Sequence, residues 1–117
     1  MMTIPEIAKV AHEINRSYCT AIGDDSQLPW EEATEGQRES CIAGVVTHLN
    51  NPNMTPEQSH ISWLNHKKER GWCWGPVKNE EKRQHPCMME YDSLPEDQRV
   101  KDYLFATVVH QLSGRTE

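Results

Sequence analysis

The sequence predicts a mainly α-helical domain: four helices as two pseudo-symmetric helical hairpins, plus a short two-stranded β hairpin before the last helix. Three observations predict it. The pattern S/T-x-x-E/Q occurs at Thr3–Glu6, Thr34–Gln37, Thr55–Gln58 and Ser93–Glu96. In such a box the hydroxyl accepts the amide three residues on, and the Glu or Gln side chain returns to the cap amide. Each box is followed by apolar residues at the 3.6-residue helical period. That period stops between residues 72 and 91, where an aromatic, glycine-flanked and charged stretch takes over.

The first helix is expected from Ile4 to Cys19, with Ile7, Val10, Ala11, Ile14 and Tyr18 on one face; Gly23-Asp24-Asp25-Ser26 ends it. The second runs from Glu35 to Leu49 with Ile42, Val45, Val46 and Leu49 inward, and Asn50-Asn51-Pro52 stops it. The third opens on Pro56, where a missing amide costs nothing, turns Ile61, Leu64 and Lys68 to one side, and ends at Gly71. Trp72-Cys73-Trp74 and Cys87 to Tyr91 are the two extended pieces expected to pair as a hairpin around the charged loop Lys78 to Gln84. The fourth helix spans Leu94 to Leu112, with Val100, Tyr103, Leu104, Val108 and Leu112 inward and Gly114 just past its end. A faint internal repeat sets Trp30 to Gln37-Arg38 beside Tyr91 to Gln98-Arg99, each an aromatic connector entering a helix.

A chain of 117 residues fits one domain, 1–117. With 36 % hydrophobic residues and a mean hydropathy of −0.80 the core is small. The formal charge of −6 argues against a partner that is a nucleic-acid polymer. Yet residues 67 to 83 hold six of the twelve Lys and Arg (Lys67, Lys68, Arg70, Lys78, Lys82, Arg83) against three Glu, a local +3 that suits a small anion. Lys67 and Lys68 themselves are expected as exposed helix charges. Cys19, Cys41, Cys73 and Cys87 show no C-x-x-C spacing, and no apolar run reaches the ~20 residues of a membrane span. Reduced thiols and a cytoplasmic location are the expectation, the bacterial host's cytoplasm if the chain is phage-encoded.

The candidate chemistry concentrates in residues 63 to 95, which hold three of the four tryptophans. In an extended segment Trp72 and Trp74, two apart, point to one face and offer stacking surfaces. Lys78, Lys82, Arg83 and His85 are candidates to hold phosphates. The competing readings are a tryptophan pair that covers the core and a solvated charged loop. His85-Pro86-Cys87 lacks the second ligand pair a zinc site needs, so no metal and no cofactor are expected. No phosphate-binding glycine loop, H-E-x-x-H or G-x-S-x-G is present, and no enzyme is expected.

Gly71-Trp72, Trp74-Gly75-Pro76-Val77, Lys82-Arg83-Gln84-His85-Pro86-Cys87 and Tyr91-Asp92-Ser93-Leu94-Pro95 together resemble the signature of the RyR domain. This repeat of ryanodine receptors also occurs as a stand-alone domain in bacteria and phages. The resemblance is specific over residues 57–112. It implies a non-catalytic module that binds a nucleotide-derived molecule, an adenine nucleotide or an ADP-ribose-like or cyclic signal, and senses or sequesters it, as in anti-defence. It implies ligand contact for Trp72, with Tyr91 along the same cleft, and a homodimer that rebuilds the cleft found between tandem repeats. Trp74 stands where the receptor versions usually have Tyr. The alternatives are a protein-interaction module using the Trp72/Trp74 surface and, below it, a nucleotide hydrolase.

Overall fold

The computed structural model describes residues 2–114 and contains the four helices: α1 Ile4–Ala21, α2 Glu35–Asn50, α3 Pro56–Glu69 and α4 Glu96–Leu112. α1 packs on α2 and α4, and α3 packs on the same two. Single 3-10 turns, Trp30–Glu32 and Tyr91–Ser93, lead into α2 and α4. Among the described residues no helix is long and apolar enough to cross a membrane.

The capping boxes form in full at α1 and α3. At α1, Glu6 N–H donates to Thr3 Oγ1 at 3.3 Å and Thr3 N–H to Glu6 Oε1 at 2.7 Å. At α3 the same pair links Thr55 and Gln58 at 3.2 and 2.9 Å. At α2 only half of the box forms. Thr34 Oγ1 accepts from Gln37 N–H, but the Gln37 amide turns to Gln27 Oε1 at 2.9 Å. The box expected at Ser93 does not form. Ser93 closes the 3-10 turn, its N–H bonded to the Glu90 carbonyl, and Pro95 takes the cap of α4 without a side-chain bond.

The two strands also differ from expectation. β1 is Cys73–Trp74, but its partner β2 is Gln84–His85, and they run parallel, with Cys73 opposite Gln84 and Trp74 opposite His85. A hairpin would need one tight turn. Here a nine-residue excursion, pinched by the antiparallel bridge Asn79–Gln84, reverses the chain first and brings β2 back in the direction of β1. Cys87 to Tyr91 is not a strand; it descends to the second 3-10 turn. Gly75 allows the pairing: a Cβ there would stand 2.6 Å from Gln84 Cβ.

The apolar core is small: Ile7, Ala8, Val45 and Val109, with Trp30, Ile42, Leu49 and Phe105 packed around them. Ala11, Cys19, Ala33, Trp72, Met88 and Leu94 are buried outside this cluster. Several residues expected inward face out: Ile14, Val46, Ile61 and Tyr103 are all exposed. In their place the bundle buries His12, His48, Ser59, His60 and Lys67. The helices turn polar and small residues inward because they enclose a cavity.

One local arrangement occurs twice. His12 Nε2 donates to the Leu28 carbonyl at 2.6 Å, and His60 Nε2 to the Met89 carbonyl at 2.7 Å. Each ring rests against the aromatic that opens the following 3-10 turn, Trp30 at 5.7 Å and Tyr91 at 6.0 Å between centroids. A carbonyl only accepts, so Nε2 carries the hydrogen in both rings. The parallel strand pair stands in the second half alone among the described residues.

Candidate functional site

Three helices present stripes of small and polar residues at helical spacing. On α2 these are Gln37, Ser40, Cys41, Gly44, Thr47 and His48; on α3 Ser59, Ser62, Trp63, His66 and Lys67; on α4 Gln98, Lys101, Asp102 and Phe105. Residues at i, i+3, i+4 and i+7 share one helical face. These faces meet α1 residues His12 and Asn15 around a cavity of about 240 Å³. Gly44 permits its closure on one side, since a Cβ there would lie 3.0 Å from Phe105 Cζ.

At the Phe105 end, His48 is 1 % exposed and its Nε2 pairs with Ser59 Oγ at 2.9 Å. Its ring lies 5.5 Å from Phe105 and 5.3 Å from His110. Burial, helped by His110, lowers its pKa to about 4, so it is neutral at pH 7. Among the described residues His48 Nδ1 and Asn15 Oδ1 have no hydrogen-bond partner. An orphaned buried polar atom costs ~1–3 kcal/mol. Both residues line the cavity, with these two atoms sealed in its wall.

The opposite end is cationic. Its centre is His85, set by β2, with Nδ1 accepting Cys87 N–H at 3.0 Å and Trp63 edge-on at 5.1 Å. Burial, then the charges of Lys78, Lys101 and Lys67, drive its pKa down to about 3. Lys67, Lys78 and Lys101 line the same cavity as this neutral imidazole. Lys67 is only 8 % exposed, its Nζ 4.6 Å from the Trp72 ring centroid, a cation–π contact. Among the described residues no carboxylate lies within ion-pair distance of it. Burial lowers its pKa. Lys78 Nζ lies 3.7 Å from Glu80, and Lys101 lies in the field of Asp24.

Between the ends stands Asp102, 3.6 Å from His60 Nδ1. Burial raises its pKa to about 7. Because His60 Nε2 already carries a hydrogen, one further proton serves the Asp102–Nδ1 contact. Cys41 donates to the Ala8 carbonyl at 3.3 Å, and burial pushes its thiol to about 12, which leaves it no thiolate character at neutral pH.

The structure divides the sequence-selected residues. His85 and Lys78 line the cavity. Trp72 is buried behind it, 6.4 Å from His85. Trp74 is half exposed, so the two indoles do not share a face. The alternation fails because Trp72 still belongs to the end of α3: its N–H bonds to the Lys67 carbonyl after the turn at Gly71, φ 85°, and β1 begins one residue later. Lys82 lies on the exposed loop, and the Arg83 guanidinium donates to the Arg70 carbonyl at the end of α3, away from the cavity. Tyr91 backs His60 from outside. Lys67, expected at the surface, is buried in the wall.

Sequence reasoning passed over Asn15, His48, Trp63, Lys101 and Asp102. The signal was there as polar residues at helical spacing, on faces left to solvent by a reading that followed apolar residues alone. Among the described residues no cluster of three His, Cys, Asp or Glu side chains has a geometry to hold a metal ion.

The family model of the RyR domain matches residues 47–111, from the last turn of α2 through almost all of α4. The match takes in His85 at the cationic end of the cavity and Asp102 between the ends, and leaves out Asn15 on α1. It covers more than half of the chain, and the protein belongs to the RyR domain family.

Proposed function

We propose that the protein binds a nucleotide-derived small molecule in the cavity between its helices, without turning it over, and so senses or sequesters it. One observation carries this: beside its small apolar core the four-helix domain encloses a cavity of about 240 Å³, lined by apolar and polar side chains, into which Lys67, Lys78 and Lys101 contribute. A buried ammonium such as Lys67, with no carboxylate at ion-pair distance among the described residues, costs stability, and a ligand that binds only the folded state returns it. The lysines suit phosphate, and Trp63 and Phe105 supply flat apolar contact for a heterocycle.

A thermal-shift series with ATP, ADP-ribose, cyclic ADP-ribose isomers and cyclic dinucleotides tests the reading. A ligand at ~100 times its Kd stabilises by about 2.7 kcal/mol. Chromatography of the hit after incubation distinguishes binding, the expected result, from hydrolysis. Silence across nucleotides and their fragments overturns it.

The protein-interaction reading keeps one observation of its own, the exposed pair Trp74 and Val77. Self-association through that surface is compatible with a cavity ligand, and light scattering with and without ligand measures it. A cytoplasmic location belongs to the same proposal.

A further inference from the structure

We infer that Asp102 and His60 make the cavity a proton-linked anion site: a negatively charged ligand enters as this pair takes up one proton, so its binding strengthens as pH falls. This rests on the proposed binding function and adds the regulation of that site.

The pair is defined by its geometry. Asp102 and Lys101 are neighbours on α4, and both line the cavity. The Asp102 side chain is only 16 % exposed, and among the described residues its one ion-pair contact is His60 Nδ1 at 3.6 Å. His60 is itself buried, and its Nε2 hydrogen is committed to the Met89 carbonyl at 2.7 Å. Without a further proton, Nδ1 and the carboxylate are two acceptors facing each other; with one, a donor faces an acceptor. At 3.6 Å they are not yet hydrogen-bonded, and the proton is what a small closure would bind between them.

An ionised Asp102 sets a negative charge in the wall that an entering anion must face, weakly screened in the low dielectric of the interior. Protonation removes that charge and leaves Lys67, Lys78 and Lys101 around the cavity. Burial raises the Asp102 pKa to about 7, with Lys101 opposing it. An anion in the cavity raises it further, because a like charge disfavours the ionised form. The coupling is reciprocal: the factor by which the anion favours the proton is the factor by which the proton favours the anion.

The neighbouring groups separate from Asp102 by their own environments. Asp102 acts on Cys87, after β2, and on Tyr91, in the second 3-10 turn; burial raises both, so each is uncharged at pH 7. Across the cavity, burial holds His48 on α2 at about 4 and His85 on β2 at about 3, and Cys41 on α2 at about 12. It also lowers His66 on α3 below its ordinary value. His12 lines the cavity from α1, its Nε2 on the Leu28 carbonyl, and needs a control variant. Burial lowers the pKa of Lys67 on α3, and loss of its ammonium at higher pH weakens anion binding in the same direction. A readout on the Asp102 carboxyl itself separates the two.

The test is an NMR titration of the Asp102 carboxyl carbon in the free protein, with sulfate, and with ADP-ribose, at constant ionic strength. Both anions keep their charge between about pH 6 and pH 8, unlike a phosphomonoester with its pKa near 6. The midpoint is expected near pH 7 in the free protein and about one unit higher with an anion bound. Isothermal titration should show ADP-ribose affinity falling about five- to tenfold from pH 6 to pH 8 in the wild type and in His12→Gln, with no fall in Asp102→Asn. The carboxyl midpoints are read on the wild type, so they decide the matter if Asp102→Asn does not fold. A free-protein midpoint below about pH 5, the ordinary carboxylate range, overturns the inference. So does a midpoint that neither anion moves, or a pH dependence that survives in Asp102→Asn. Nucleotide binding with an unmoved midpoint overturns the proton linkage and leaves the proposed function standing. A midpoint raised by sulfate, with no nucleotide bound, supports the proton-linked anion site and overturns the nucleotide reading alone.

Discussion

Lys67 shows how far burial changes the meaning of a residue. By sequence it is one more cation on a charged helix; in the fold it is a nearly buried ammonium over Trp72, with no carboxylate at ion-pair distance among the described residues. A buried charge without a partner destabilises, and an apolar residue of similar volume often relieves this. Lys67→Met is expected to raise stability, by roughly 1 kcal/mol, while weakening ligand binding. Thermal unfolding and titration of the same sample read both effects; a variant that loses stability would show that the lysine supports the fold. His48 and His85 make the fold acid-sensitive. Their folded pKa values lie below the unfolded 6.5, at about 4 for His48 and about 3 for His85. Their contribution is complete above pH 6.5 and is lost as pH falls toward 3. Asp102 acts oppositely: its pKa rises from 3.8 to about 7, so its share of stability is complete below pH 4 and is lost as pH rises to 7. Two histidines against one carboxyl give net loss on acidification below 6.5. His85→Gln should flatten that limb in a pH series of unfolding midpoints, and an unchanged limb would remove His85 as its source.

At the scale of elements, much of the helical order was legible, because caps and stops are local chemistry. The starts of α2 and α3 fall at Glu35 and Pro56 as expected, and Gly114 takes the left-handed conformation past α4, φ 79°. Ser93 shows the limit, since the same pattern that caps α1 and α3 lies here inside a 3-10 turn. Thr55→Ala is therefore expected to cost about 1 kcal/mol, and Ser93→Ala less than ~0.5 kcal/mol. Equal losses in chemical denaturation would return Ser93 to the cap. The strand pair was half legible: β1 from its aromatic composition, its parallel partner not, because parallel pairing is a long-range choice that local patterns do not encode. Gly75→Ala places a methyl against Gln84 Cβ and should cost ~1–3 kcal/mol. It should also loosen His85 on β2, visible as weaker ligand binding beside a lower melting temperature. A full-strength pair in that variant would refute the close approach.

For the whole molecule, the sequence suggested a small core, which is present, and a local cationic patch, of which only Lys67 and Lys78 line the cavity, joined there by Lys101 from α4. What it did not reveal is that they are parts of one design. The apolar residues gather around Val45 and Val109, and the rest of the bundle opens on polar faces. Helical periodicity was read for apolar residues alone, so Ile61 and Tyr103 were assigned inward while Ser59, Lys101 and Asp102 went unassigned. The candidate site was legible at Lys78 and His85. It was not legible at Asn15 and His48, which meet it only through packing of α1 and α2 against the other two helices. The central claim is that this interior is where the ligand sits. The direct measurement is isothermal titration of the nucleotide giving the largest thermal shift, on wild type and on Ser62→Leu, which fills the cavity from α3. The account predicts a folded, equally or more stable variant whose affinity falls at least tenfold. Unchanged affinity in a folded Ser62→Leu protein would contradict it and move binding to the surface around Trp74.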